Sequence, residues 1–198
     1  MSIPNAPNKE YVILQNKSLI LYCFLKKYNQ LEILIIKIFE KNLSSCDCEL
    51  IKELYFYYGG KIGTYIESET NSIKLSSITF KKQETFSSLS INQIVKICRE
   101  KKCIEIFNKE IKSLKQENVN LILYDCLLKF LNMRNCLAHE LEDISFKDKD
   151  LVELLPDGML NSYMEKQFFN MNVSILDDMT KCILSNLIYM DFIISEIS

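Results

Sequence analysis

The chain contains no tryptophan, only three prolines and four glycines, and a single histidine, His139. So few turn-forming residues in a chain of 198 argue against a loop-rich all-β protein. Arginine is also scarce, because 22 of the 24 basic residues are lysine and the two arginines are Arg99 and Arg134. The net charge of −2 argues against broad electrostatic binding to nucleic acid, so any RNA must be gripped locally.

Long apolar runs and targeting signals are absent as well. The most apolar stretch, residues 19–39, is interrupted by charged and amide side chains, among them Lys26, Lys27, Asn29, Gln30, Glu32 and Lys37, which makes it too polar to span a bilayer. Residues 1–8 lack the basic start and the apolar run of a signal peptide. We therefore predict a cytoplasmic protein that makes no use of a membrane. Its eight cysteines are predicted to be free thiols.

The spacing of apolar residues predicts an all-α fold, a bundle of five to seven helices in one domain over residues 1–198. The predicted helices cover residues 9–43 (one long helix or two abutting ones), 47–58, 90–115, 118–142, 148–155, 159–170 and 172 to the last residues. A turn is predicted at Pro156-Asp157-Gly158. The apolar residues of the long helices recur at steps of three and four, which indicates one buried side on each helix.

Residues 59–90 differ in composition from the rest of the chain. They hold three of the four glycines together with seven serines and four threonines. This composition predicts a loop or a small hairpin inserted in the bundle, and a place for mobility or partner contact. Nearby, Cys46 and Cys48 have the wrong spacing for a zinc knuckle, and the chain has no second histidine to complete such a site. We predict neither a metal nor a cofactor.

The predicted helix at 118–142 carries the most informative pattern in the chain. Its apolar stripe consists of Leu123, Leu127, Phe130, Leu137 and Leu141. At about 100° per residue, Arg134 falls within about 20° of the axis of that stripe, and His139 falls about 140° further round, on the polar side. A guanidinium inside an apolar stripe is costly unless an anion meets it. Arg134 is therefore expected to meet an anion.

Arg134 and His139 together are suited to phosphodiester chemistry without a metal. The guanidinium is planar, always charged and shaped to bind a phosphate. The imidazole exchanges a proton near neutral pH.

The six residues Arg-Asn-Cys-Leu-Ala-His at 134–139 resemble the motif of the HEPN superfamily, which reads Arg, a polar residue, three further residues and His. Asn135 directly after the arginine and the Leu-Ala-His ending are also similar to members of that family. HEPN domains are all-helical, and many are metal-independent endoribonucleases of toxin–antitoxin, phage-defence and RNA-processing systems. One position departs from a subgroup silenced by a nucleotidyltransferase antitoxin: Leu141 stands where that subgroup has a tyrosine, so we expect no adenylylation there.

The resemblance implies an endoribonuclease in which a ribose 2′-OH attacks the adjacent phosphorus. The products would carry a 2′,3′-cyclic phosphate and a 5′-OH. His139 would act as general base or acid, Arg134 would stabilise the phosphorane-like charge, and Asn135 would orient groups or donate a hydrogen bond. The implied partners are RNA as substrate and a protein inhibitor or activator.

A homodimer is expected on chemical grounds. Cleavage through a 2′-OH uses one group to take a proton and another to give one, yet each chain has a single histidine. Two motif helices that face each other across a symmetric interface would supply two histidines and two arginines to one cleft. HEPN domains are similar in usually working as pairs.

Two other interpretations stay open from the sequence. The first is a helical interaction module, for example a HEPN-like domain that binds a nucleotide or a protein without cleaving RNA, which suits the acidic isoelectric point and the serine-rich segment. The second is a plain helical bundle in which His139 is a surface residue and Arg134 pairs with an acid such as Asp125 or Glu142. An internal salt bridge at Arg134 would favour the second.

Overall fold

A computed structural model of the protein describes residues 9–43, 65–67, 73–75, 105–139, 148–168 and 172–198. Four α-helices hold most of these residues: α1 (Lys9–Leu43), α2 (Leu123–His139), α3 (Asp157–Phe168) and α4 (Asp178–Ile197). Two small two-stranded sheets complete the regular structure: β1 (Tyr65–Glu67) with β2 (Ile73–Leu75), and β3 (Glu110–Lys112) with β4 (Asn120–Ile122). These residues are mostly helical, which is compatible with the predicted all-α fold, and the count of five to seven helices stays a prediction.

The chain divides into two compact units. The first unit contains Met1–Asn29, Glu110–Leu121 and Leu128–Ser198, and the second contains Gln30–Lys109 and Ile122–Leu127. Several predicted features lie outside the described residues, namely the helix at 47–58, the start of the helix at 90–115, most of the 59–90 segment, Arg99, Cys46, Cys48 and residues 140–147. Within 59–90, β1 and β2 pair antiparallel with Tyr65 opposite Leu75 and Glu67 opposite Ile73.

Helix α1 is one continuous helix of 35 residues, as the longer of the two sequence interpretations predicted. No glycine or proline interrupts it, and its buried positions Asn16, Ile20, Phe24, Tyr28, Leu31 and Ile35 keep steps of three and four. Leu14 and Tyr22 lie on its opposite, exposed side. None of the described helices has both the length and the apolar character that a membrane crossing requires.

The helices predicted at 90–115 and 118–142 are wrong over residues 110–112 and 120–122, which are the strands of the β3–β4 hairpin. The Ser113 amide donates to the Val119 carbonyl (2.8 Å), and the Leu123 amide donates to the Lys109 carbonyl (2.9 Å). Ile111 is buried between exposed Glu110 and Lys112, which is the period-two pattern of a strand. The pattern lasts only three residues, too short to be recognised as a strand beside the longer helical spacing of the apolar residues.

A buried tyrosine on α4 connects the hairpin to the rest of the first unit. The Tyr189 hydroxyl accepts a hydrogen bond from the Leu114 amide (3.0 Å) and donates to the Glu153 carboxylate. The Ser113 hydroxyl donates to the same carboxylate oxygen (2.6 Å). Burial, together with the hydrogen bond to Glu153, raises the pKa of Tyr189 to about 12, so the hydroxyl keeps its proton at neutral pH.

The segment that precedes α3 also differs from its prediction. Asp148–Asp150 is a single 3₁₀ turn, and the chain then runs on without helix to Pro156, so the short helix predicted to Leu155 is wrong. Side chains of α4 satisfy its backbone instead: the Val152 amide donates to Asn186 Oδ1 (2.9 Å) and the Leu155 amide to Ser185 Oγ (3.2 Å). The predicted turn at Pro156-Asp157-Gly158 is the start of α3, where the Pro156 carbonyl accepts from Met159 and Leu160.

Helix α4 is the central element of the first unit. Every residue from Ile183 to Met190 is buried, so this stretch is covered on all sides. The predicted long final helix is confirmed, although it starts later than predicted. Asn172 caps a 3₁₀ turn at Val173–Ile175, and Asp177 then caps α4 by accepting a hydrogen bond from the Thr180 amide (2.8 Å).

Asn186 is expected to be essential for the stability of the first unit. The Asn186→Ala substitution removes two hydrogen bonds in the interior, one from the Val152 amide and one to the Asp150 carbonyl. We expect the free energy of unfolding, measured by urea denaturation, to fall by about 2–5 kcal/mol. Asn120→Ala, which removes an exposed asparagine bonded to Glu110, should change it by less than about 0.5 kcal/mol. Equal effects of the two substitutions would contradict this role of Asn186.

Candidate active site

The second half of α2 is held in a fixed rotation by hydrogen bonds to the segment at 149–152. Asn132 Nδ2 donates to the Lys149 carbonyl (3.3 Å), and Lys129 Nζ donates to the Val152 carbonyl (3.4 Å). On the buried side, Asn186 Nδ2 lies 3.1 Å from the Met133 sulfur and 2.8 Å from the Asp150 carbonyl oxygen. The last of these contacts is at Met133, one residue before Arg134. The residues just before the motif therefore fix the direction in which the motif faces on the helix.

Arg134 is exposed, and the prediction that it lies inside a buried stripe is wrong. Its direction on the helix does fall among the buried residues of α2, which are Leu123, Cys126, Leu127, Phe130, Leu131, Met133 and Leu137. Ala138, one turn further on the same side, is exposed too. Arg134 and Ala138 are thus exposed although Leu137, between them in the sequence, is buried, and the guanidinium is accessible to solvent.

Asn135 is hydrogen-bonded to Arg134 and is a neighbour of position 139 on the surface of α2. Arg134 Nη1 donates to Asn135 Oδ1, with 3.3 Å between the two atoms. The side chain of His139 lies outside the described part of the structure, but the backbone of α2 includes that residue. Position 139 is four residues beyond Asn135, so the two are neighbours on the helix surface. Asn135 thus lies between Arg134 and position 139 on one continuous arc of α2.

No carboxylate among the described residues forms an ion pair with Arg134, whose hydrogen bond to Asn135 is with a neutral amide. The described residues therefore give no support to a structural salt bridge between Arg134 and Asp125, while Glu142 lies outside them. An exposed guanidinium that is not neutralised by an acid is able to bind a phosphate oxygen with two parallel hydrogen bonds.

A second group of ionisable side chains lies where α1, α3 and α4 meet in the first unit. Asp191 accepts a hydrogen bond from the Tyr163 hydroxyl and forms an ion pair with Lys27 (2.5 Å). Burial, followed by the hydrogen bond to Asp191, raises the pKa of Tyr163, and burial also raises the pKa of the Cys23 thiol. A protonated thiol and a protonated phenol are poor nucleophiles at neutral pH, so this group fits a structural role.

The described residues contain no cluster of three or more His, Cys, Asp or Glu side chains arranged to hold a metal ion. The cysteines among them, Cys23, Cys126, Cys136 and Cys182, form no disulfide bonds.

Asn186, the residue that orients α2, is not among the site residues predicted from the sequence. It had one visible signal: an amide in the middle of the apolar run of α4, where a polar side chain must find hydrogen-bonding partners. Lys149 was also passed over, because its relation to α2 depends on a contact with Asn132 across 17 residues of chain.

Comparison with protein-family models, with curated proteins and with solved structures finds no match to this chain. The resemblance to HEPN domains therefore rests on residues 134–139 alone.

The exposure of Arg134 leads to a prediction about stability. Because its side chain is exposed, Arg134→Ala should change the free energy of unfolding by less than about 0.5 kcal/mol. Met133→Ala, one residue earlier and fully buried, should lower it by about 2–5 kcal/mol. Chemical denaturation of both variants checks this. A loss of about 3 kcal/mol or more in Arg134→Ala would instead indicate a buried ion pair at this position.

Proposed function

We propose that the protein is a metal-independent endoribonuclease of the HEPN type. The observation that carries the proposal is the exposed guanidinium of Arg134, hydrogen-bonded to Asn135 and one and a half helical turns before His139. The type of reaction is taken from the resemblance of the motif to HEPN domains. The accessibility of Arg134 supports the proposal because a phosphate can reach its guanidinium. A role in a toxin or phage-defence system is part of the proposal and follows from the resemblance alone.

In the proposed reaction the 2′-OH of one nucleotide attacks the phosphorus that joins it to the next. One histidine takes the proton of the 2′-OH, the P–O5′ bond breaks, and a second proton carrier gives a proton to the departing 5′ oxygen. Arg134 stabilises the extra negative charge on the non-bridging oxygens while the phosphorus is five-coordinate. Asn135, bonded to the guanidinium, fixes its direction.

The acid and the base are proposed to come from two copies of the chain. The chain has one histidine, and two copies of α2 would bring two histidines to one phosphate. Arg134 and Ala138 are both exposed in the single chain and lie about one turn apart on α2, which leaves these two positions available to a partner helix.

Loss of either charged residue of the motif is expected to abolish cleavage. His139→Ala and Arg134→Ala should each reduce the rate on mixed-sequence RNA by at least about a hundredfold, because acid–base catalysis and charge stabilisation each contribute on that scale. The assay is run in EDTA, and the fragment ends are identified as 2′,3′-cyclic phosphate and 5′-OH. Lys166→Ala, an exposed residue on α3, serves as the control and should cleave at the wild-type rate.

Near-normal cleavage by His139→Ala, with contaminating nuclease excluded, would overturn the assignment, as would products that end in 3′-OH. Tight binding of a nucleotide or of RNA without any cleavage would instead favour the non-catalytic interaction module.

The shared active site predicts a dependence on protein concentration. We expect a dimer by sedimentation, and a specific activity that falls on dilution below the dissociation constant of that dimer. An excess of inactive His139→Ala added to the wild type tests the same idea, since a mixed dimer holds only one histidine and should therefore lose cleavage activity. A monomer whose cleavage rate is linear in its concentration would refute the shared site.

A further inference from the structure

A short stretch of chain runs beside the face of α2 that carries position 139. The Lys149 carbonyl accepts from Asn132 Nδ2 (3.3 Å), and the Val152 carbonyl accepts from Lys129 Nζ (3.4 Å). Asn132 and position 139 are seven residues apart, which places them within about 20° of the same helix face and about 10 Å apart along the axis. Lys149 therefore lies on the histidine side of α2, about two turns before position 139.

Lys149 presents its charge to solvent from a fixed backbone. Its side chain is exposed, and no carboxylate among the described residues pairs with it. The next residue, Asp150, is only 1 % exposed, and its carbonyl is held by Asn186. Asn132 anchors the Lys149 carbonyl from the other side. Lys129, by contrast, directs its ammonium group to the Val152 carbonyl.

We propose that Lys149 binds a phosphate of the RNA strand that flanks the cleaved linkage, on the side of α2 that carries His139. The inference rests on the proposed function and deepens it, because it names the substrate as a single RNA strand at least one nucleotide longer than the dinucleotide that is cut. The cleaved phosphate lies between Arg134 and His139, and the strand then continues along α2 toward Lys149. Because the protein has a net charge of −2, RNA is bound through such local cations and not through a broad basic surface.

The test compares Lys149→Gln with Lys166→Gln, which removes the same charge from an exposed position on α3. Both variants and the wild type are assayed on a mixed-sequence oligoribonucleotide and on ribodinucleotides. For Lys149→Gln, we expect KM for the oligonucleotide to rise about threefold to fivefold at low salt, with kcat unchanged. The KM for the dinucleotides should not move, because they carry no flanking phosphate. Lys166→Gln should match the wild type on both substrates.

Binding to a 2′-O-methyl oligonucleotide, which cannot be cleaved, gives a readout that does not depend on catalysis. A lost phosphate contact should lower the magnitude of the slope of log affinity against log salt by about 0.7 for Lys149→Gln. The control variant should keep the wild-type slope.

Four results would overturn the inference. Equal shifts in Lys149→Gln and Lys166→Gln would indicate a general effect of net charge. An equal rise of KM on the dinucleotides would place Lys149 at the cleaved linkage itself. Wild-type behaviour of Lys149→Gln, in a protein whose cleavage is abolished by Arg134→Ala, would remove the flanking contact and leave the proposed function standing. A wild-type protein that neither binds nor cleaves RNA would overturn both.

Discussion

The fully buried amide of Asn186 is the interaction on which the rest of the first unit depends. It accepts a hydrogen bond from the Val152 amide, donates to the Asp150 carbonyl and contacts the sulfur of Met133. One side chain of α4 thus fixes both the non-helical segment before α3 and the rotation of α2. A burial this complete is compatible with stability only because the amide oxygen and nitrogen both have partners. The surface position of Arg134 follows from this arrangement, since it is the next residue after Met133.

Local charge matters more than total charge in this protein. The chain is slightly acidic, and several of its basic groups are engaged by carboxylates, as in the pairs Lys17–Asp177, Lys27–Asp191 and Lys181–Asp157. Arg134 and Lys149 have no such acid among the described residues, and Asp150, which neighbours Lys149, is turned inward. Under the proposed function, these two cations beside one helix attract a single RNA strand locally, while the acidic remainder of the chain limits non-specific binding.

The sequence predicted what depends on long periodic patterns and failed where distant contacts decide. Helices α1 and α4 were predicted because their apolar positions repeat over many turns. The β3–β4 hairpin was missed because its strands are only three residues long. The extended run after Asp150 was missed because its backbone groups are satisfied by residues far along the chain, such as Asn186 for Val152. The angular position of Arg134 was predicted correctly, but a helical angle does not tell how far the covering elements extend. Its exposure could not be read from the sequence for that reason.

The order of the elements along the chain has a consequence for biosynthesis. Helix α2 and the residues at 149–152 leave the ribosome before α4, yet both take their final arrangement from an α4 side chain. Until α4 has been synthesised, the buried faces of α1 and α2 have no central helix to cover them. The surface that carries Arg134 and Lys149 therefore reaches its final arrangement only after α4 has been synthesised.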